Sequence, residues 1–192
     1  MGVATRLSQE QLDRALQSGI SLDLSFRDLS GLSFAGKNLQ GINLSHSLLE
    51  GTDFQEANLS FSSLSKACFR GSNLVGARII ESNAIEASFN DADLSHAILD
   101  RTVARMANFR NAIIHEAFFW DTVLTFADFT GADLYKSDLR FANLSYATLA
   151  LSNLKDAAIA HANFRAADLA GANLETIEPS LLIRSLNLVG TD

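Results

Sequence analysis

Ala57-Asn58-Leu59-Ser60-Phe61 and Ala132-Asp133-Leu134-Tyr135-Lys136 are one unit written twice: a small residue, a polar one, a bulky apolar one, then two that vary. The unit recurs without a gap. Every fifth residue from Leu24 to Leu174 gives 31 positions, and they hold 18 Leu, 8 Phe, 3 Ile and 2 Ala. Two residues before the bulky one, all 26 positions from Ser47 to Ala172 are Ala, Ser or Thr. The position between them is Asn or Asp in 18 of the 31 units.

No α-helix fits a period of five. Five residues advance a helix by about 140° beyond one turn, so the Leu column would spiral around every side. A plain strand fails too, because its side chains alternate with period two and five is odd. A short extended stretch followed by a corner satisfies the pattern. The small and bulky residues point in, Asn or Asp points out, and the last two residues turn. Such a unit buries its apolar side only by stacking on its neighbours, which makes the chain an all-β solenoid.

Two series set the length of a coil. Phe69, Phe89, Phe109 and Phe129 recur every 20 residues, and so do Gly31, Gly51, Gly71, Asp91, Asn111 and Gly131. Gly, Asn and Asp are the residues that best tolerate positive φ at a corner. Leu151 interrupts this second series before Gly171 resumes it. Four units per coil are expected, with the Phe rings stacked in a ladder.

Composition narrows the class of protein. The 192 residues are 47% hydrophobic and 19% charged, which excludes a disordered chain. The formal net charge of −7 argues against nucleic-acid binding, which calls for a basic face. The single Cys68 excludes a disulfide scaffold. The opening MGVATRLSQEQLDRALQSG lacks the apolar core of a signal peptide, and Arg6 breaks the myristoylation pattern. No stretch approaches the roughly 18 apolar residues of a membrane span. A soluble cytoplasmic protein without cofactor, metal or membrane contact is expected.

The Ala-Asn/Asp-Leu unit resembles the pentapeptide repeat family over Leu22 to Thr176. The resemblance implies a right-handed quadrilateral β-helix. With coils stacked about 4.8 Å apart, seven to eight coils make a rod of roughly 37 Å. The expected division is an N-terminal helical cap at 1–21, the β-helix at 22–176, and a C-terminal helix and tail at 177–192.

Solenoid ends need covering, since raw edges invite aggregation. Ser8 and Gln11 have the spacing of a capping box, and Leu7 and Leu12 that of a hydrophobic staple. Leu12, Ala15 and Leu16 make one apolar face, and Gly19 suits a helix stop. That face is expected over the first coil near Ile20 and Leu22. At the other end Pro179 suits a first helical turn, and Asn187 suits a helix end. Leu181, Leu182, Leu186 and Leu188 are read either as a cap or as a dimerisation element.

Three further features invite a functional reading. Ala84 and Ala104 leave two bulky positions empty in successive coils of one face. Ile85 or Val103 turning inward would fill the space; a groove is the alternative. His96, with His115 and Glu116 one coil later, is a conceivable metal pair, but solvated corner residues explain it better. Cys68 takes an outward position without an obvious base and reads as inert. No phosphate loop or nucleophile elbow is present, and the many Asp residues belong to the repeat, so no catalytic site is expected.

The surface is more telling. The outward positions Ile98, Val103, Ile113, Phe118 and Val123 turn apolar near the centre of the chain, and Trp120 and Phe141 add corner residues. Met106, Phe126 and Tyr146 form one column on the 20-residue grid. Contiguous exposed apolar area marks a binding surface; side chains folded over the corners as local packing are the alternative.

The tail Ser180-Leu181-Leu182, with Leu186 and Leu188-Val189, is similar to that of the quinolone-resistance branch of the family, with Asn187 where Gly is usual. That resemblance implies a homodimer through the C-terminus and a DNA-shaped protein. It implies binding to DNA gyrase or topoisomerase IV and protection from a poison. An interaction scaffold or bacterial effector working through the Trp120 patch is the other expectation. Against mimicry, the repeat region holds 18 acidic and 12 basic residues, while duplex DNA carries one charge per roughly 1.7 Å.

Overall fold

The computed structural model describes residues 6–17 and 23–181. Each outward middle residue pairs in parallel with the residue 20 positions on: Asp23 with Asn43, Asn38 with Asn58, and so on to Asn153 with Asn173. One coil is therefore four pentapeptides, and the chain is a solenoid. The faces are lettered here by their bulky residues. Face A holds Leu44, Leu64 and Ala84; face B the Phe69 ladder; face C Leu74 and Leu94; face D Ile79 and Leu99.

Hydrogen bonds between coils explain why so short a unit is stable. In the unit of Leu59, the bulky residue's amide donates to Arg78 O one coil on (2.7 Å). The outward Asn58 amide donates back to Lys37 O (2.9 Å), and the corner Phe61 amide donates on to Ile80 O (2.8 Å). A backbone this short leaves no room for a longer strand, so each side of the coil pairs through a single residue.

At the corner the small residue's amide usually bonds the carbonyl three residues before it, as Ala57 N does to Phe54 O (2.9 Å). Only the second corner residue has positive φ, the mark of a type II turn. All 31 such corners from Phe26 to Thr176 have it, and 23 of them are not glycine. Leu151, the break in the sequence series, has φ of 61° like the others. A left-handed residue with a side chain costs roughly 1 kcal/mol. The inter-coil ladder imposes the corner whatever the residue, so Gly marks the corner without being required for it.

The 18 Asn and Asp residues all act alike. Each accepts, through Oδ1, the backbone amide two residues on, as at Asn58 with Ser60 (3.1 Å) and Asp128 with Thr130 (2.9 Å). Asn153 also donates its amide to Asp133 one coil back (2.8 Å), and Asn173 to Asn153 (3.0 Å). Buried hydroxyls close remaining corners: Ser72 and Thr52 both donate to Leu49 O. Ser62, Ser82, Thr102 and Thr122 do the same for carbonyls one coil back on the D–A corner. No described buried side-chain polar atom lacks a partner.

The interior is layered by face. Phe69, Phe89, Phe109 and Phe129 stack at 5.0, 5.0 and 4.6 Å between ring centroids. Phe34 stacks on Phe54 at 4.6 Å. Ala84 and Ala104 are fully buried, but Val103 faces out and Ile85 is half-buried. Neither has turned inward over the small residue. In the Ala104 coil, Phe119 stands on face D where other coils carry Leu or Ile, edge-on to Phe109 at 6.0 Å. One extra ring and one missing Leu share the same cross-section. Nothing in the structure accounts for Ala84 in this way.

The helix α1 (Gln9–Gln17) lies against the first coil. Ser8 N and Gln11 Oε1 (2.9 Å) and Gln11 N and Ser8 Oγ (3.2 Å) form the reciprocal capping box. Leu12 is fully buried, and Leu7 and Leu16 pack on the same core. Gln9 does what a preceding coil would do: its amide donates to Ser33 O (3.0 Å) and accepts from Ser33 N (2.9 Å). Asp13 reaches Lys37 at 3.5 Å. The contact therefore falls at residues 33–37; Gly19, Ile20 and Leu22 lie outside the described residues. Residues 179–181 open a helical turn, and Leu182, Leu186 and Leu188 also lie outside the described residues.

Leu94→Ala should cost about 2–5 kcal/mol, because the stacked layers on either side prevent collapse. Asn153→Ala, which removes a corner bond and two ladder bonds at the surface, should cost about 1 kcal/mol. Thermal unfolding followed by circular dichroism checks both, and equal losses would contradict the assignment of inward and outward positions.

Candidate interaction surfaces

With the columns assigned, charge separates around the rod. Faces B and C with the B–C and C–D corners carry twelve acidic and four basic side chains. The other half of the perimeter carries six of each at its outward and corner positions, and Arg27 and Lys37, exposed at small-residue positions, add one base to face B and one to face D. With these two included, one half holds twelve acids and five bases and the other six acids and seven bases, so the net negative charge sits on one side. On face C, Asp53, Asp93 and Asp133 share one column.

Ion pairs follow the coil repeat. Glu50 meets Arg70 at 3.0 Å, Glu81 meets Arg101 at 2.7 Å, and Lys155 meets Glu175 at 3.0 Å, each one coil apart. The suspected histidines form two separate pairs on the C–D side. His96 Nδ1 lies 3.8 Å from Glu116, and His115 Nε2 lies 2.7 Å from Asp133. Among the described residues no three such groups converge on a metal position. Cys68 is half-buried, with its Sγ 3.8 Å from Glu50 Oε1.

The apolar residues singled out above mostly gather on the opposite side, while Leu48 and Leu151, also exposed, stand on face B and the B–C corner. Ile98 and Phe118 lie on face D, Val103 and Val123 on face A, Trp120 and Phe141 on the D–A corner, and Met106, Phe126 and Tyr146 on the A–B corner. Met106, Phe126 and Tyr146 are about half exposed and Trp120 is 37% exposed, while Ile98 and Val123 are half-buried. Ile113 falls on face C, away from the group. The rings organise one another: Phe126 stacks on Tyr146 at 5.0 Å, and Trp120 meets Phe141 edge-on at 5.8 Å.

Two participants escaped the reading of the sequence. Arg101 lies over the Trp120 ring at 6.0 Å, and His161 stacks on Phe141 at 4.8 Å. The 20-residue grid, applied to these corners, would have found both. Asp100 accepts the Trp120 backbone amide (3.0 Å). Its partial burial, with Asp138 nearby, raises its carboxyl above the ordinary 3.8 despite that bond. Leu181, placed in the tail element, is half-buried and packs on the core.

A sequence profile described as Pentapeptide repeats matches residues 38–74, 72–105, 105–140 and 137–175 in eight copies. No curated protein matches the chain in sequence. Among solved structures, HetL is 26% identical, with 91% of this chain and 93% of HetL covered and a TM-score of 0.58. HetL is a pentapeptide repeat protein involved in heterocyst differentiation regulation, from the cyanobacterium Nostoc sp. strain PCC 7120. A trypsin-treated form of QnrB1, a plasmid-mediated fluoroquinolone resistance protein, is 21% identical, with 86% of this chain and 88% of QnrB1 covered and a TM-score of 0.43. No described helix is long and apolar enough to cross a membrane.

Partial burial acts to raise the Asp133 carboxyl, but hydrogen bonds from His115, Asn153 and the Tyr135 amide outweigh it and hold it below 3.8. Asp128 is lowered likewise, against its burial, by Thr130 and Arg110. A depressed folded pKa stabilises above the unfolded value and is lost as pH falls through the folded one. The melting temperature should therefore fall as the pH drops below about 4, and fall less steeply in Asp133→Asn. Thermal melts across that range test this; parallel curves for the two proteins would refute the role of Asp133.

Proposed function

The chain belongs to the pentapeptide repeat family, and from that premise we propose that it is a non-enzymatic protein-binding rod. In this reading it is a right-handed quadrilateral β-helix. Residues 1–21 with α1 cap one end; residues 177–192 cap the other and pair two copies. A partner protein docks on the apolar side. The observation that carries the reading is the segregation of surface chemistry: exposed aromatic side chains on faces D and A with their corners, acids concentrated on faces B and C with theirs. Rigid exposed aromatics beside arginine are the residue types that dominate protein interfaces. The involvement of HetL in regulating differentiation accords with a role exercised through a partner.

The acidic side favours a second reading, in which the rod presents itself to DNA gyrase or topoisomerase IV in place of duplex DNA and shields the enzyme from a poison. Its excess of seven acids compares with about 22 duplex charges over a rod of this length. Recognition would then rest on shape and on one face, with two rods joined end to end to lengthen it. Leu181, Leu182, Leu186 and Leu188 are the residues proposed for that joint.

The readings separate by experiment. Cross-linking mass spectrometry on cells carrying the tagged chain should place the partner on faces D and A, and Trp120→Ala with Phe126→Ala should cut its recovery at least tenfold. In a gyrase supercoiling assay with a quinolone, the second reading expects rescue that Asp53→Asn, Asp93→Asn and Asp133→Asn together remove. It also expects trimming of residues 179–192 to weaken both rescue and dimerisation. Cross-links confined to faces B and C, with rescue intact in Trp120→Ala, would reject the first reading in favour of the second.

A further inference from the structure

Of the four corners of the rod, the A–B corner is the one where bases outnumber acids. Lys66, Arg105 and Arg165 stand there with Glu86 as the only acid. Lys66 and Glu86 satisfy each other at 3.5 Å. Arg105 and Arg165 are exposed and have no carboxylate partner among the described residues. Between them on the same strip lie Met106, Phe126 and Tyr146, with Val123 beside them on face A. A protein of net charge −7 thus carries a narrow positive strip with an apolar middle and unpaired guanidinium groups at both ends.

Resting on the reading of faces D and A as a docking side, we infer that the A–B corner binds an acidic segment of a partner protein, with carboxylates at its two ends and bulky apolar side chains between. The two arginines are three coils apart, about 14 Å. An extended segment covers that distance in about four residues. Its carboxylates meet the arginines in the bidentate geometry that guanidinium favours. Its apolar side chains lie on the Met106–Phe126–Tyr146 column. The polarity fixes which edge is used. The D–A corner opposite carries Asp121, without an ion-pair partner among the described residues, and arginines already engaged, Arg101 by Glu81 and Arg140 by Asp138. A second copy of the chain is the poorer occupant. The face and its corner measure roughly 20 Å by about 15 Å, well short of the ~800 Å² per partner of a standard stable interface.

The test uses the full chain. A random 12-residue peptide library displayed on phage is panned against it, and the enriched peptides are synthesised with a fluorescent label. Binding is read by anisotropy and by emission of Trp120, the chain's single tryptophan. The expected consensus is acidic at both ends with aromatic or aliphatic residues between. Arg105→Glu with Arg165→Glu should weaken binding at least tenfold, and raised salt should weaken it as well. Arg70→Glu with Arg110→Glu, on the B–C corner, should leave it unchanged. Circular dichroism confirms that each variant is folded. Peptides that depend on Met106→Ala and Phe126→Ala but not on the arginines would overturn the acidic-segment inference while leaving the docking side standing. No enrichment, or peptides indifferent to both pairs of substitutions, would overturn this inference together with docking through this corner. A basic consensus, preferred binding of a labelled oligonucleotide, or a concentration-dependent dimer lost in Phe126→Ala would each overturn it in favour of a different occupant.

Discussion

The inter-coil hydrogen bond is the constraint on which the rest depends. Each five-residue side of a coil is tied to its neighbours through the amides of its outward, bulky and second corner residues. With so few residues per side, register has no freedom to slip: a shift of one residue would place Asn or Asp inside and Leu outside. The same ties hold 23 side-chain-bearing residues at positive φ, where isolated peptides rarely stay. Backbone geometry that elsewhere calls for glycine is here a property of the stack.

That rigidity has a chemical consequence. Side chains 20 residues apart are brought to about one strand spacing, so each surface column behaves as a ladder. Where neighbours in a ladder are complementary, they pair, as Glu50 and Arg70 do. Where they are aromatic, they stack, as Phe126 and Tyr146 do. Where neither holds, a charge is left for something else, as at Arg105 and Arg165. Function in such a rod comes from which columns are filled with what, because no loop departs from the coil among the described repeats.

The division into an acidic half and an apolar half is a result of this kind. Acidic residues are spread along the whole chain, and arginines interrupt them near Arg101, Arg105 and Arg110, so a linear count looks nearly balanced. Wrapped at 20 residues per coil, twelve of the eighteen acids fall on faces B and C with their corners, while six acids and seven bases share the other side. A partner meets a face and not a linear order. The relevant charge is therefore that of one side, with the far side attenuated by distance and screening.

The period of five, the inward and outward positions and the 20-residue coil were legible in the residues alone. Burying Leu and Phe while exposing Asn and Asp has only one solution at that spacing. The capping box was equally plain, since Ser8 and Gln11 act within one turn of helix. What depended on the three-dimensional stack was every relation across coils. Val103 stays outside although its neighbour is small, since Phe119 on another face supplies the volume. Leu151, which interrupts the Gly, Asn and Asp series, keeps the same corner as its neighbours. Gln9 reaches Ser33, and His115 pairs with Asp133 and not with His96. The local pattern decides which way each side chain points, whereas its partners are set by distances between residues 18 to 24 positions apart, which only the closed coil brings together.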